Sequence, residues 1–224
     1  MAADEPAGKG DRTRRRIRAA ALRSFREHGY DATTIRKVAA EVGVSVGVTN
    51  YHFPSKNHLV QELYLDVQLA HRAVAEPLLA DERRLIDRLR IVFSTGLDQL
   101  EPYHAHAGEF LSAAVSPRSP INPLSPDSTR SFELVQGLFA EAVDGAVDSR
   151  VPGDIRALLP RAFVLAHLLL ALFWVYDASP RQRRTRRLLD RGLALLAALL
   201  PLTRVPRIRR GLRDLLALAT DVGA

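Results

Sequence analysis

The 224-residue sequence contains no cysteine. That excludes a disulfide framework and a cysteine–zinc scaffold, and it leaves the redox compartment unspecified. Lysine is nearly missing as well, with 3 residues against 29 arginines. Such a bias can follow from genomic base composition, so arginine content is no evidence of function by itself. β-branched alternation is absent, which removes the signature of strands and leaves Ala, Leu, Arg and Glu to favour helix. No apolar run is long enough to cross a bilayer. The longest, residues 162–176 (AFVLAHLLLALFWVY), has 15 residues and includes His167, whereas a span needs about 20. It reads as a buried helix, and no membrane partner is expected. Residues 2–16 (AADEPAGKGDRTRRR) hold no apolar stretch, so a secretory signal is not expected and a cytoplasmic location is. There is no Ser/His/Asp-type order, phosphate loop or Gly-rich nucleotide motif, so neither an enzyme nor a cofactor is expected.

What is present points to an all-α protein. Hydrophobic residues are 47% of the chain, enough to rule out disorder throughout. The net charge of +7 is unevenly spread: residues 1–60 carry 11 basic and 6 acidic groups, 61–180 carry 10 and 16, and 181–213 carry 11 and 1. A basic head and a basic late segment suggest polyanion contact at one or both ends.

Helical periodicity organises the chain. In residues 12–28, Ile17, Ala20, Ala21, Ser24, Phe25 and His28 share a face, and Gly29 is placed to end the helix. Thr33 and Thr34 suit the cap of a second helix whose apolar stripe is Ile35, Val38, Ala39 and Val42. Gly43 ends that helix, Ser45 caps a third to about His52 or Phe53, and Pro54-Ser55 begins a fourth that runs to about Pro77. Further helices are expected at about 82–100, 105–115, 128–149, 154–177, 180–200 and 207–220. Between them, Pro117, Pro120, Pro123 and Pro126 recur every third residue in a loop, either a lid or a mobile connection.

Residues 33–53 (TTIRKVAAEVGVSVGVTNYHF) hold two short helices about Gly43-Val44. Glycine permits the sharp turn and small Ala39 and Ala40 permit close approach, which is the spacing of a helix-turn-helix; plain helix packing is the other reading. Thr33 and Thr34 offer hydroxyls and free amides to a phosphate, and Arg36 and Lys37 lie one turn on. Ser45, Val46, Gly47, Thr49, Asn50 and Tyr51 are the candidates for the groove, with Asn able to read adenine and small apolar groups a thymine methyl.

Residues 12–59 closely resemble the DNA-binding domain of the TetR family of bacterial transcriptional repressors. The resemblance rests on Phe25, Gly29-Tyr30, Thr33-Thr34-Ile35, Val38-Ala39, Val42-Gly43-Val44-Ser45, Gly47 and His52-Phe53-Pro54-Ser55-Lys56 with Leu59. It implies phosphate contacts from His52 and Lys56 and a core role for Phe53. It departs at Thr49-Asn50, where the family has Leu-Tyr; here the aromatic is displaced to Tyr51. Arg12, Arg14, Arg15, Arg16 and Arg18 are further candidates for the DNA backbone.

This divides the chain into a disordered arm (1–11), a helix-turn-helix domain (12–58) and a helical effector-binding and dimerisation domain (59–224). One helix-turn-helix covers little groove, so a homodimer on a pseudo-palindromic DNA operator is expected. Residues 154–177 and 192–202 are too apolar for exposed helices, and the helices at about 154–177 and 180–200 form the expected seam, unless they are buried within one subunit. The resemblance further implies a small-molecule effector held by the middle of the chain. Tyr103, His106, Phe110, Phe139, His167 and Trp174 are the candidates for the pocket, with His104, Glu109 and Phe173 beside them, although such residues are as readily plain core. His104 and His106 are two apart and do not share a helical face, so no metal site is expected. The expected function is a ligand-released repressor. The alternative is a helical adaptor that binds an acidic partner or RNA through its basic 181–213 segment.

Overall fold

The computed structural model describes residues 8–148 and 151–221. Those residues form eleven α-helices with 3-10 turns between some of them, and no strand. The helices are α1 (Lys9–Ala32), α2 (Ile35–Val42), α3 (Val46–His52), α4 (Lys56–Asp81), α5 (Leu85–Leu100), α6 (Ala107–Ala114), α7 (Thr129–Asp144), α8 (Gly153–Arg156), α9 (Leu159–Val175), α10 (Arg183–Leu199) and α11 (Pro206–Thr220). Among the described residues no helix is long and apolar enough to cross a membrane.

Two hydrophobic clusters organise the fold, and α4 passes from one to the other. Ile17, Ala20, Ala21 and Phe25 of α1 pack with Val38 and Val42 of α2, with Phe53, and with Leu59, Val60, Leu63 and Val67 from the first half of α4. Ala75 and Leu79 from its second half join Leu89, Val92 and Phe93 of α5, Leu138, Phe139 and Ala142 of α7, Phe163, Val164 and Leu170 of α9, and Leu189 and Leu193 of α10. The result is a three-helix N-terminal unit standing on a larger helical body.

Several element boundaries differ from those expected. The first helix begins at Lys9, so part of the expected arm is helical; residues 1–7 lie outside the described residues. His28 is exposed rather than on the buried stripe. Gly29, at φ 80°, turns the backbone immediately after it. Pro77 does not end α4, which continues to Asp81. Proline removes one amide donor, and the turn beyond it is held from outside. The buried Arg88 guanidinium donates to the carbonyls of Leu79 and Glu82 at the end of α4, and to those of Ala142 and Glu141 near the end of α7 (2.8 and 2.7 Å).

The stretch expected as one helix at 154–177 is two, α8 and α9, because Pro160 sits in the first turn of α9, where its missing N–H costs nothing. The helix expected to reach 149 ends at Asp144, and residues 149 and 150 lie outside the described residues. The start of α10 is built on Asp177. Its carboxylate accepts from the N–H and Oγ of Ser179 (3.0 and 2.6 Å) and from the N–H and Oγ1 of Thr185 (both 2.8 Å). Burial works to raise the Asp177 pKa, but these four bonds outweigh it and hold the group well below the usual carboxylate range.

The proline-rich loop is neither lid nor loose connection. Ile121 is 1% exposed within the N-terminal cluster. Its carbonyl accepts from Tyr64 Oη (2.9 Å), and the Pro120 carbonyl accepts from Gln61 Nε2 (2.7 Å). The loop straps α4.

Candidate nucleic-acid interface

The helix-turn-helix is assembled by three local devices. Thr34 caps α2, its Oγ1 accepting from the Lys37 N–H at 3.2 Å. Gly43 closes it in the left-handed conformation (φ 71°, ψ 37°), its N–H reaching the carbonyls of Ala39 and Ala40, while the Val44 N–H donates to Ala39 at 3.0 Å. Ser45 caps α3 by accepting from the Val48 N–H at 3.1 Å. Val44 is half-buried against the N-terminal cluster and fixes the turn.

One face of α3 is pinned and the other is open. Thr49 and Phe53 are buried; Val46, Val48, Asn50 and Tyr51 are exposed, Tyr51 to 84%. The Tyr51 ring meets only the edge of His52, 5.1 Å between centroids. The open face therefore consists of one amide, one phenol and small apolar groups around Gly47, the chemistry of a surface that can read base edges.

Not every residue expected at the DNA lies on that surface. Thr33 is fully buried: its hydroxyl donates to the Gly29 carbonyl (2.7 Å) and pairs with Ser24 Oγ (2.8 Å), so Thr34 alone presents the cap. Thr49 is also fully buried, with Oγ1 donating to the Ser45 carbonyl at 3.2 Å. Lys56 reaches inward, donating to the Tyr30 carbonyl at 3.0 Å with its ammonium 3.7 Å from the centre of the Tyr30 ring. Burial lowers its pKa, partly offset by Asp31 and Glu109. Arg36 is exposed, and exposed Lys37 bends back to the Ala32 carbonyl at 2.9 Å. Val48 belongs to the open face and was missed. No sequence signal marks it, because the burial of Thr49 that leaves Val48 outward is decided by tertiary packing.

The arginines of α1 divide in the same way. Arg14 and Arg18 pair with Glu62, and Arg18 also with Asp66 (2.7 Å); 14/18 and 62/66 form an i, i+4 ladder between α1 and α4. Arg16 donates to the Val42 carbonyl at 2.7 Å, bracing the end of α2. Arg12 and Arg15 remain exposed to solvent.

The six residues set out for an effector pocket fall in two regions. Tyr103, His106 and Phe110 lie where the N-terminal unit meets the body. Phe110 packs edge-on against Phe25 and Tyr30 (5.6 and 5.7 Å), and His106 Nδ1 lies 3.0 Å from Glu109 Oε1. Phe139 and His167 share the central core with Phe93, Phe163 and a second buried histidine, His71, whose ring stacks on His167 at 6.2 Å. His71 Nε2–H donates to the Val92 carbonyl (2.9 Å), whereas His167 Nδ1 is buried without a partner. Trp174 belongs to the same core, edge-on to His104, whose Nε2–H donates to the Trp174 carbonyl at 3.1 Å. Beside the central group, Phe93, Phe163, Leu170, Leu189 and Leu193 line an apolar hollow of about 320 Å³ between α5, α9 and α10.

Two family models match this chain: the one described as bacterial regulatory proteins, tetR family, over residues 17–63, and the tetracyclin repressor-like C-terminal domain over residues 88–216. An uncharacterized HTH-type transcriptional regulator of Mycobacterium tuberculosis is 44% identical over 55 residues, 25% of this chain and 26% of that protein. The HTH-type transcriptional repressor KstR2 of the same species is 30% identical over 109 residues, 46% of this chain and 51% of that protein. The chain thus aligns with between a quarter and half of the length of these relatives. Among solved structures, a TetR transcriptional regulator from Nitrosomonas europaea superposes with a TM-score of 0.63 at 20% identity, covering 84% of this chain and all of that one. Thermus thermophilus FadR, a TetR family repressor solved with lauroyl-CoA, does so with a TM-score of 0.61 at 23% identity, covering 82% and 93%. At these identities the likeness is one of fold.

Proposed function

The chain belongs to the TetR family of bacterial regulatory proteins, and on that footing we propose that it is a dimeric transcriptional repressor released from its operator by a small-molecule effector. The observation that carries the reading is the open face of α3. A tyrosine exposed to 84% beside an exposed asparagine, on a helix capped and anchored from behind, serves no packing purpose. Asn50, Tyr51, Val46, Val48 and Gly47 read base edges. Thr34, Arg36, Lys37, Ser45 and His52 flank them towards phosphates, with Arg12 and Arg15 on α1. Thr33, Thr49 and Lys56 hold the surface in place rather than touch DNA.

The dimer forms through α9 and α10. Leu169, Leu172 and Phe173 of α9, Tyr176 just past its end, and Leu188, Leu195 and Leu199 of α10 are exposed large apolar side chains on neighbouring helices, the kind of surface that marks an interface. Paired about a two-fold axis they make a four-helix bundle. The effector binds in the apolar hollow beside Phe93 and Phe163, whose rim residues Leu169 and Leu188 also belong to the dimer face, so occupancy of the hollow and the geometry of the seam are coupled. Release from DNA requires that the effector prefer the conformation in which the two α3 helices no longer fit successive major grooves. The test is a footprint of the purified protein on the DNA flanking its own gene, at two salt concentrations. The expected result is a two-fold symmetric protected site that weakens with salt; an unprotected or asymmetric result refutes the dimeric-repressor reading.

A further inference from the structure

We propose that the hollow at the α9–α10 turn binds a small ligand carrying two or more phosphate groups. This hollow, of about 390 Å³, is bounded by Ala178, Ser179, Pro180, Arg183, Arg184 and Arg187. Arg183 and Arg187 are four residues apart on α10, one turn above the other, with Arg184 beside them. Like charges at that spacing repel, and the start of a helix adds its own positive end. None of the three arginines forms an ion pair among the described residues, although charges on the same helix that face the body are matched: Arg186 with Asp98 (2.8 Å) and Asp190 with Arg90. The Asp177 carboxylate at the foot of the turn forms no ion pair with them, its oxygens being engaged by Ser179 and Thr185.

The helix therefore has one face whose charges are complementary to α5 and another whose three exposed arginines border a concavity without an ion pair among the described residues. Planar guanidiniums bind phosphate oxygens in pairs, and three of them suit a diphosphate or triphosphate better than a single anion. A nucleic acid strand calls for a long basic stripe rather than a hollow of this size. Operator binding plays no part in the inference.

The experiment is calorimetric titration of the full chain with sodium tripolyphosphate, pyrophosphate and monophosphate at about 0.15 M salt, where distant surface charges are screened. Tripolyphosphate is expected to bind once per chain, and affinity to fall from tri- to di- to monophosphate. The triple variant R183A/R184A/R187A is expected to lose at least about tenfold in affinity. An equal charge removal elsewhere, R204A/R207A/R210A, is expected to change it by less than about twofold. The single variant Arg187→Ala, with a partial loss, serves if the triple variant does not fold. The proposal is overturned if tripolyphosphate does not bind, or if both triple variants lose affinity alike. It is also overturned if a long RNA binds through these arginines while tripolyphosphate fails to compete.

Discussion

The carboxylate of Glu109 on α6 accepts a hydrogen bond from the backbone N–H of Asp31 at 2.8 Å, joining the helical body to the end of α1. This bond, with His106 at the other carboxylate oxygen, holds the Glu109 pKa below its ordinary value. Gly29 makes the approach possible. Its backbone lies at φ 80°, ψ −175°, a region only glycine occupies readily, and a Cβ there would come within 2.5 Å of Glu109 Oε2 and 2.6 Å of His106 Nδ1. Gly29→Ala is expected to destabilise the protein by about 1–3 kcal/mol from backbone strain alone, read as a lower urea midpoint. Glu109→Gln keeps the shape and weakens the bond, so its loss should be smaller. Equal midpoints for wild type and Gly29→Ala would show that the joint has room to relax.

For DNA binding, residues on the open face of α3 and residues beside it should separate cleanly. Asn50→Ala is expected to cost about 1–3 kcal/mol against the preferred base and to relax preference at one position per half-site. Arg36→Ala should weaken binding to all sequences and lower the slope of log K against log salt by about 0.9 for each phosphate no longer neutralised. Lys56→Ala should chiefly lower stability, since its ammonium is committed to Tyr30. Binding measured at several salt concentrations on a library of operator variants distinguishes the three.

The parts of this interface that were legible in the sequence are those governed by local chemistry. Thr34, Gly43 and Ser45 do in the structure what cap and turn residues do anywhere, because their partners lie within four positions. Thr49 and Thr33 were misplaced because a threonine carries no mark of burial; what decides it is the packing of the rest of the chain, which for Thr33 brings in the Ser24 hydroxyl. The pairing of Arg14 and Arg18 with Glu62 and Asp66 was hidden for a related reason, since in a chain with 29 arginines composition cannot say which of them face a carboxylate. Tyr103 lies apart from Phe139 and Trp174, which share the larger core, because it sits on the 3-10 segment at 101–106, which helical periodicity alone does not position.

Arg88 is the arginine whose loss should matter most to folding. It is 5% exposed and bonded to four carbonyls at two helix ends, and Gly145 is required beside it because a Cβ would overlap the guanidinium. Arg88→Met fills most of the volume but leaves those carbonyls without a donor. The expected loss is about 3 kcal/mol or more, measured by urea unfolding. A loss below about 1 kcal/mol would mean that water replaces the guanidinium at little cost.

The seam can be tested without DNA. Leu169 is 68% exposed and Leu195 60%, so replacing either with Glu should leave the fold of one chain intact. If α9 and α10 form the dimer, Leu169→Glu/Leu195→Glu should sediment as a monomer, with an unchanged helical spectrum and with operator affinity lost. A variant that still sediments as a dimer places the interface elsewhere.

The two core histidines give the stability a distinctive dependence on pH. Burial pushes His71 down to about 4, opposed in part by its bond to Val92, and burial together with the neighbouring His71 charge pushes His167 to about 3. Both rings are thus neutral in the native state at pH 5, while in the unfolded chain they titrate near 6.5. Between those values the unfolded state binds more protons, so stability falls as pH drops below about 6.5 and is unaffected by these groups above it. Carboxylates such as Asp177, with depressed native values, lose their contribution only below about pH 4, which leaves pH 5–6 as a window that reports histidine. Replacing His167 with Gln removes one of the two protons, so the stability of the variant should vary with pH less steeply than wild type, by about 1.4 kcal/mol per unit. Parallel curves for the two proteins across that window would mean that His167 already carries its proton in the folded state.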